Sequence, residues 1–171
     1  MRGLSLFFGL ISISAVLAAA DLRPVISREA GKCAVAWERE DFHTIVAYMP
    51  ARVVQRSGGR AALISELRND FAQARSLGAE RLEAHHGPPS IPKSIGRWLV
   101  SVIPVTAVVH SAHLDLTQET HVLALSEDRG KHWAFVLLYQ ATQAELDDWF
   151  PEFRGKVFVP TPPVPRVSIV Y

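Results

Sequence analysis

Between Trp98 and His110 the chain reads Trp-Leu-Val-Ser-Val-Ile-Pro-Val-Thr-Ala-Val-Val-His, which is apolar on both faces of the strand it predicts. At a period of two, Val100, Val102 and Val108 fall on one face, and Leu99, Ile103, Val105 and Val109 on the other. Such a strand must be covered twice. Pro104 interrupts its backbone donors, which predicts a bulge or an edge at that point.

The segments before this run have a helical period. Pro24 suits a first helical turn, and Ile26, Ala30, Cys33 and Trp37 recur at the spacing of one helical face. Cys33 therefore reads as a small buried apolar residue rather than a reactive thiol. Asp41 can cap a second short helix carrying Phe42, Ile45, Val46 and Met49, which Pro50 closes. After Gly58-Gly59 a third helix runs from about Arg60, with Leu63, Ile64, Leu67, Phe71 and Ala74 on its apolar stripe and Gly78 near its end.

From residue 79 the period becomes strand-like. Residues 79–86 predict a first strand, broken by Gly87-Pro88-Pro89. Residues 121–125 and 132–139 predict two strands of a hairpin around a tight Glu127-Asp128-Arg129-Gly130 turn. Thr142-Gln143-Ala144-Glu145 has the capping-box pattern of a short helix through Trp149, stopped by Pro151. A last strand is expected over 156–159, followed by an extended proline-rich tail, 161–171, ending in the β-prone Val167 to Tyr171. Helices first and antiparallel strands second is the α+β pattern, with the N-terminal helices packed on the concave face of a curved sheet.

At 171 residues there is room for one domain, and with 49% hydrophobic and 20% charged residues wholesale disorder is excluded. A net charge of +1 leaves no basic surplus for nucleic acid or an anionic membrane. The single cysteine excludes a disulfide framework and any multi-cysteine metal site. The first twenty residues combine Arg2, an apolar stretch from Leu4 to Leu17 and Ala18-Ala19-Ala20, the pattern of a cleaved secretory signal. The expected product begins at Asp21, is exported to the periplasm or the medium, and has no stable membrane insertion. Arg2 being the only charge in the leader, it carries seventeen basic and seventeen acidic side chains.

Residues 41–67, from Asp41-Phe42-His43-Thr44 through Met49-Pro50 and Gly58-Gly59 to Glu66-Leu67, resemble the second-to-third helix passage of nuclear-transport-factor-2-like proteins. That superfamily includes the ketosteroid isomerases and polyketide cyclases. Residues 124–160, with Ser126 to Phe135, Phe150-Pro151-Glu152-Phe153 and Val159-Pro160, are similar to secreted bacterial members of unknown activity. The resemblance covers residues 21–160 as one domain. It implies a cone-shaped sheet enclosing a pocket, and a homodimer; it implies no reaction.

Ser126-x-Asp128-x-Gly130-x-x-Trp133 resembles the Asp box of sialidases. The spacing is structural: the carboxylate can bond backbone N–H groups of its own turn, Gly130 supplies a positive φ and Trp133 folds across the hairpin. In a chain too short for a propeller it reads as a hairpin staple. No metal site is expected from the seven histidines. His110 and His113 fall on opposite faces of a strand, as do the adjacent His85 and His86, and His121 and His132 lack a third ligand. There is no Gly-x-Ser-x-Gly elbow and no phosphate loop, and no cofactor is expected.

What the fold resemblance implies is a pocket. Tyr48, Trp98, His110, His121 and Tyr139 are the candidate pocket residues, and Asp115 joins them as a group able to move protons. No motif gives any of them a role, and Trp98, Trp133 and Tyr139 also suit a core. The expected function is an exported domain that binds a small apolar ligand or a protein partner. The alternative is a small lyase or isomerase working by proton transfer on a hydrophobic substrate.

Overall fold

The structure is a computed structural model that describes residues 21–139, 141–161 and 163–170. The secretory signal expected over 1–20 lies outside them. Four helices come first: α1 (Arg23–Glu38), α2 (Phe42–Ala47), α3 (Ala51–Arg56) and α4 (Arg60–Ser76). Strands β1 (Ala79–His86), β2 (Lys93–Ile95), β3 (Trp98–Ser111), β4 (Leu114–Ser126) and β5 (Ala134–Leu137) follow. Helix α5 (Gln143–Trp149), a 3₁₀ turn (Pro151–Phe153) and β6 (Arg166–Ile169) complete the chain.

The strands form one antiparallel sheet in the order β1-β3-β4-β5, with β2 beside the start of β3 and β6 beside the start of β4. The sheet is strongly curled into a half-barrel with helices packed against it, which is the expected α+β cone. Its axis is the β3–β4 hairpin, whose register runs unbroken from Leu99↔Ser126 to His110↔Asp115.

Local chemistry explains the helix boundaries. Pro24 occupies the first turn of α1, and Ile26, Ala30 and Cys33 are buried along its stripe. The Asp41 carboxylate accepts the Thr44 N–H at 3.1 Å and caps α2. The second helix ends before Pro50 as expected, but Pro50 also opens an unexpected further short helix. It precedes α3, because a proline just ahead of a first turn has no N–H to lose and can turn the chain into a new helix. The capping box of α5 is complete, with Thr142 and Glu145 each accepting the other's backbone N–H.

The period of two separates two cores. On the convex face Trp98, Val100, Leu123, Leu125, Val136 and Leu138 pack under Leu146, Phe150 and Phe153 of α5 and the 3₁₀ turn. On the concave face Ile103, Ala124 and Phe135 pack against Ile26, Ala30 and Cys33 of α1. A third cluster joins α1, α2, α3 and α4 to one another through Ala36, Ile45, Val54, Leu63 and Leu67. Double cover of the Trp98–His110 run therefore holds only for its first half. Val102 is 36% exposed and Pro104 is exposed on the convex side.

Pro104 sits in the middle of the sheet and makes no bulge against β4, where it faces His121 in register. Its ring nitrogen points to the other side, where β1 has ended and β2 has not begun. There the Pro104 carbonyl accepts the Gly87 N–H at 2.8 Å, and Ser90 exchanges bonds with Val102. The missing donor falls in this local edge and leaves no ladder bond unmade. A β-carbon at Gly87 would lie 2.8 Å from the proline ring, so the crossing requires glycine.

Two sequence expectations are corrected. Residues 156–159 form no strand: the Lys156 and Val157 N–H groups close turns onto the Phe153 carbonyl, and the Val159 N–H donates to the Gln143 side chain at 2.9 Å. The strand expected over 121–125 begins at Leu114, and its partner is only Ala134–Leu137. The tail carries β6, paired with Leu114 to Thr117.

The Ser126–Trp133 turn is stapled by Asp128. One oxygen accepts Ser126 Oγ–H (2.9 Å) and the backbone N–H of Lys131 (3.1 Å) and His132 (3.0 Å). Gly130 has φ +88° and donates its N–H to Ser126 Oγ, while the buried Trp133 donates its indole N–H back to the Gly130 carbonyl. The backbone N–H and ring of His132, then the Ser126 hydroxyl, hold the Asp128 carboxyl far below the usual carboxylate range.

Candidate functional site

The concave face does not fill. Across the sheet Ala84, Ala107 and Gln118 form one row, and His86, Val105 and Thr120 the next. Above them α1 presents Ala30, Cys33 and Ala34. Small side chains on both layers leave a cavity of about 380 Å³, walled almost entirely by carbon, with Tyr48, Phe71 and Phe135 also in its lining. That is within the ~300 to 1,000 Å³ usual for small-molecule sites.

Of the candidate residues, Tyr48 and Tyr139 line this cavity, Tyr139 from an exposed position at its rim. The other three project from the convex face. Trp98 is a core residue, edge-on to Phe150 at 5.3 Å, with its indole N–H donated to Glu152 at 3.0 Å. His110 pairs with Asp115 across the β3–β4 hairpin at 2.8 Å and approaches Glu83 at 3.5 Å. His121 is half-buried beside Pro104. The sheet itself therefore separates His110, Asp115 and His121 from Tyr48.

Tyr48 follows α2, and its hydroxyl donates to Glu29 of α1 at 3.0 Å. Burial, then the Glu29 carboxylate, pushes the phenol up to about 12. Lys32 holds the Glu29 carboxyl below its usual range, against its partial burial and helped by Tyr48 and Arg28. A carboxylate kept ionised by two cations is a weak base, and Glu29 is not part of the cavity wall. Burial pushes the Cys33 thiol up to about 12, so it stays protonated in the wall.

Among the wall residues not anticipated from sequence are the polar Gln118, Thr120 and His86. Leu116, Gln118, Thr120 and Val122 alternate along β4, the signal that a strand beginning at Leu114 would have carried. The Gln118 amide donates to the carbonyls of Glu119 (2.7 Å) and Pro163 (3.1 Å), while its Oε1 is buried without a partner among the described residues. The His86 Nδ1 lies 3.2 Å from the Gly87 carbonyl, an acceptor, so Nδ1 carries a proton and Nε2 is an acceptor whenever the ring is neutral.

Among the described residues no group of three or more His, Cys, Asp or Glu side chains could hold a metal ion, and no helix is long and apolar enough to cross a membrane. No family model matches the chain, and neither does any curated protein or solved structure.

Proposed function

We propose that the chain is an exported, nuclear-transport-factor-2-like domain that holds a small apolar or amphipathic molecule between α1 and the concave face of its sheet. The observation that carries this is the cavity itself. A core at ordinary packing density has few voids larger than a water molecule, whereas this one offers about 380 Å³ of carbon-walled space. Proton-transfer chemistry has less support, because the tyrosine at the wall is bonded to a carboxylate already neutralised by Lys32 and Arg28.

The test is uptake of an apolar fluorescent probe by the purified protein, together with solvent extraction and mass spectrometry of whatever co-purifies. Saturable binding of one probe per chain, abolished by Ala107→Phe in a variant that still folds, is the expected result. Probe binding that Ala107→Phe leaves unchanged places the ligand elsewhere and removes the proposal.

A further inference from the structure

We infer that the cavity selects an uncharged amphiphile, an apolar body ending in a hydroxyl group, over an anionic lipid such as a fatty acid. This rests on the cavity being a ligand site and adds the class of head group. The polar residues buried in the wall, Gln118 and Thr120, carry no charge, and the sheet register brings them together. Thr120 lies two residues from Gln118 on the same face of β4, with His86 across the trough beyond Val105.

Each of the three has hydrogen-bonding capacity to spare. Gln118 is more than nine-tenths buried; its amide hydrogens are held by two backbone carbonyls, and its Oε1 is an acceptor with no donor. A buried acceptor left unmade is costly, and a ligand O–H would satisfy it. Thr120, as a residue also more than nine-tenths buried, lines the wall; its hydroxyl forms no hydrogen bond with another described residue and can donate to the same ligand oxygen. His86 Nε2 is a second acceptor. A ligand hydroxyl has one proton to give, so donating it to Gln118 Oε1 while accepting from Thr120 uses that pair fully, with His86 an alternative acceptor; a carboxylate can only accept and leaves the Gln118 acceptor unmet.

Charge excludes the anion independently. At the mouth Glu40, Asp70 and Glu80 outnumber Arg75 and Arg81. Both guanidiniums are already engaged, Arg75 by Glu40 and Arg81 by Glu83. An anionic head would enter past net negative charge and lose its hydration with no unpaired Lys or Arg among the described wall residues. With a water occupying ~30 Å³, the space suits a ligand of about a dozen non-hydrogen atoms.

Dodecanol, its methyl ether and dodecanoate share one chain length and separate the outcomes. Each is titrated into the purified protein at mildly alkaline pH, by displacement of a bound apolar dye. The alcohol is expected to bind about tenfold tighter than the ether, which lacks the donor, with dodecanoate weakest. Thr120→Val, nearly isosteric, is expected to weaken alcohol and ether alike by severalfold, because both keep the oxygen that accepts its proton. Gln118→Leu should weaken the alcohol alone; if it fails to fold, because the amide also holds the Pro163 carbonyl, the alcohol-to-ether ratio of the unmodified protein and Thr120→Val decide. Equal affinity for alcohol and ether in the unmodified protein, or tightest binding of dodecanoate, overturns this inference and leaves the apolar pocket standing. Failure of all three to bind overturns both.

Discussion

The convex and concave faces of the β3–β4 hairpin are built by alternate residues of the same strands, yet the convex face is packed where α5 covers it and the concave face beneath α1 holds a cavity. The difference lies in what the covering helices bring. On the convex side α5 and the 3₁₀ turn contribute Leu146, Phe150 and Phe153, with the two phenyl rings stacked at 4.9 Å and Trp98 against both. On the concave side α1 contributes Ala30, Cys33 and Ala34 over Ala84 and Ala107. Stability and ligand capacity are thus divided between the two sides of one sheet. Large side chains anchor one face, which lets the other keep small ones.

Truncating the filled face should have the largest effect. Phe150→Ala, at a fully buried position, is expected to cost about 3 to 5 kcal/mol in denaturant unfolding. A loss below about 1 kcal/mol would mean that α5 is not the anchor described. Asp128→Ala tests how the concave cluster, to which Trp133 belongs, is held at its end. By analogy with helix N-caps it should lower stability by about 1 to 2 kcal/mol, a few degrees in melting temperature. An unchanged melting curve would remove the staple.

Acid separates the two faces further. The Trp98 indole N–H, then a backbone N–H and Arg52, against some burial, hold the Glu152 carboxyl down at about 2 from an ordinary 4.5. A depressed carboxylate contributes stability that is fully present above its unfolded value and is lost as pH falls through the folded one. The convex contact should therefore weaken between about pH 4.5 and 2. Glu152→Gln should flatten that part of the stability profile, and an identical profile in the variant would contradict the assignment.

Filling the hollow face should change stability least. Ala107→Phe is expected to shift unfolding by no more than about 1 kcal/mol while removing probe uptake, because the added ring occupies existing space. A loss of several kcal/mol would show that the wall cannot accept it. The homodimer expected from the twice-apolar run makes a last comparison, since Val102 and Pro104 remain uncovered on the convex side. Sedimentation should show association that rises with concentration, and a constant monomer mass would exclude it.

Much of the frame was legible in the sequence because it rests on local signals. The α1 stripe, the Asp41 cap, the first strand over 79–86, the capping box at Thr142 and the turn at Asp128 each depend on residues a few positions apart. Local signals failed where partners are distant. Residues 114–120 mix Asp115, Gln118 and Glu119 into a strand that is stable only because β3 and β6 flank it. Residues 156–159 look β-prone and have no free ladder to join.

The candidate site shows the same division. Tyr48, His110, His121, Trp98 and Tyr139 carry chemistry that draws attention in a sequence, but parity along the strands puts three of them on the side away from the cavity. The residues that make the hollow are alanines, which announce nothing by type. Sequence alone determined the α+β order, the twice-apolar strand and the caps, since periodicity and short-range hydrogen bonding are properties of neighbours. Only the tertiary structure decided that Ala84 meets Ala107 beneath Ala30 and Ala34, and that Gln118 and Thr120 face that space. Empty volume is a property of opposing layers, set by register and helix placement between residues far apart in the chain.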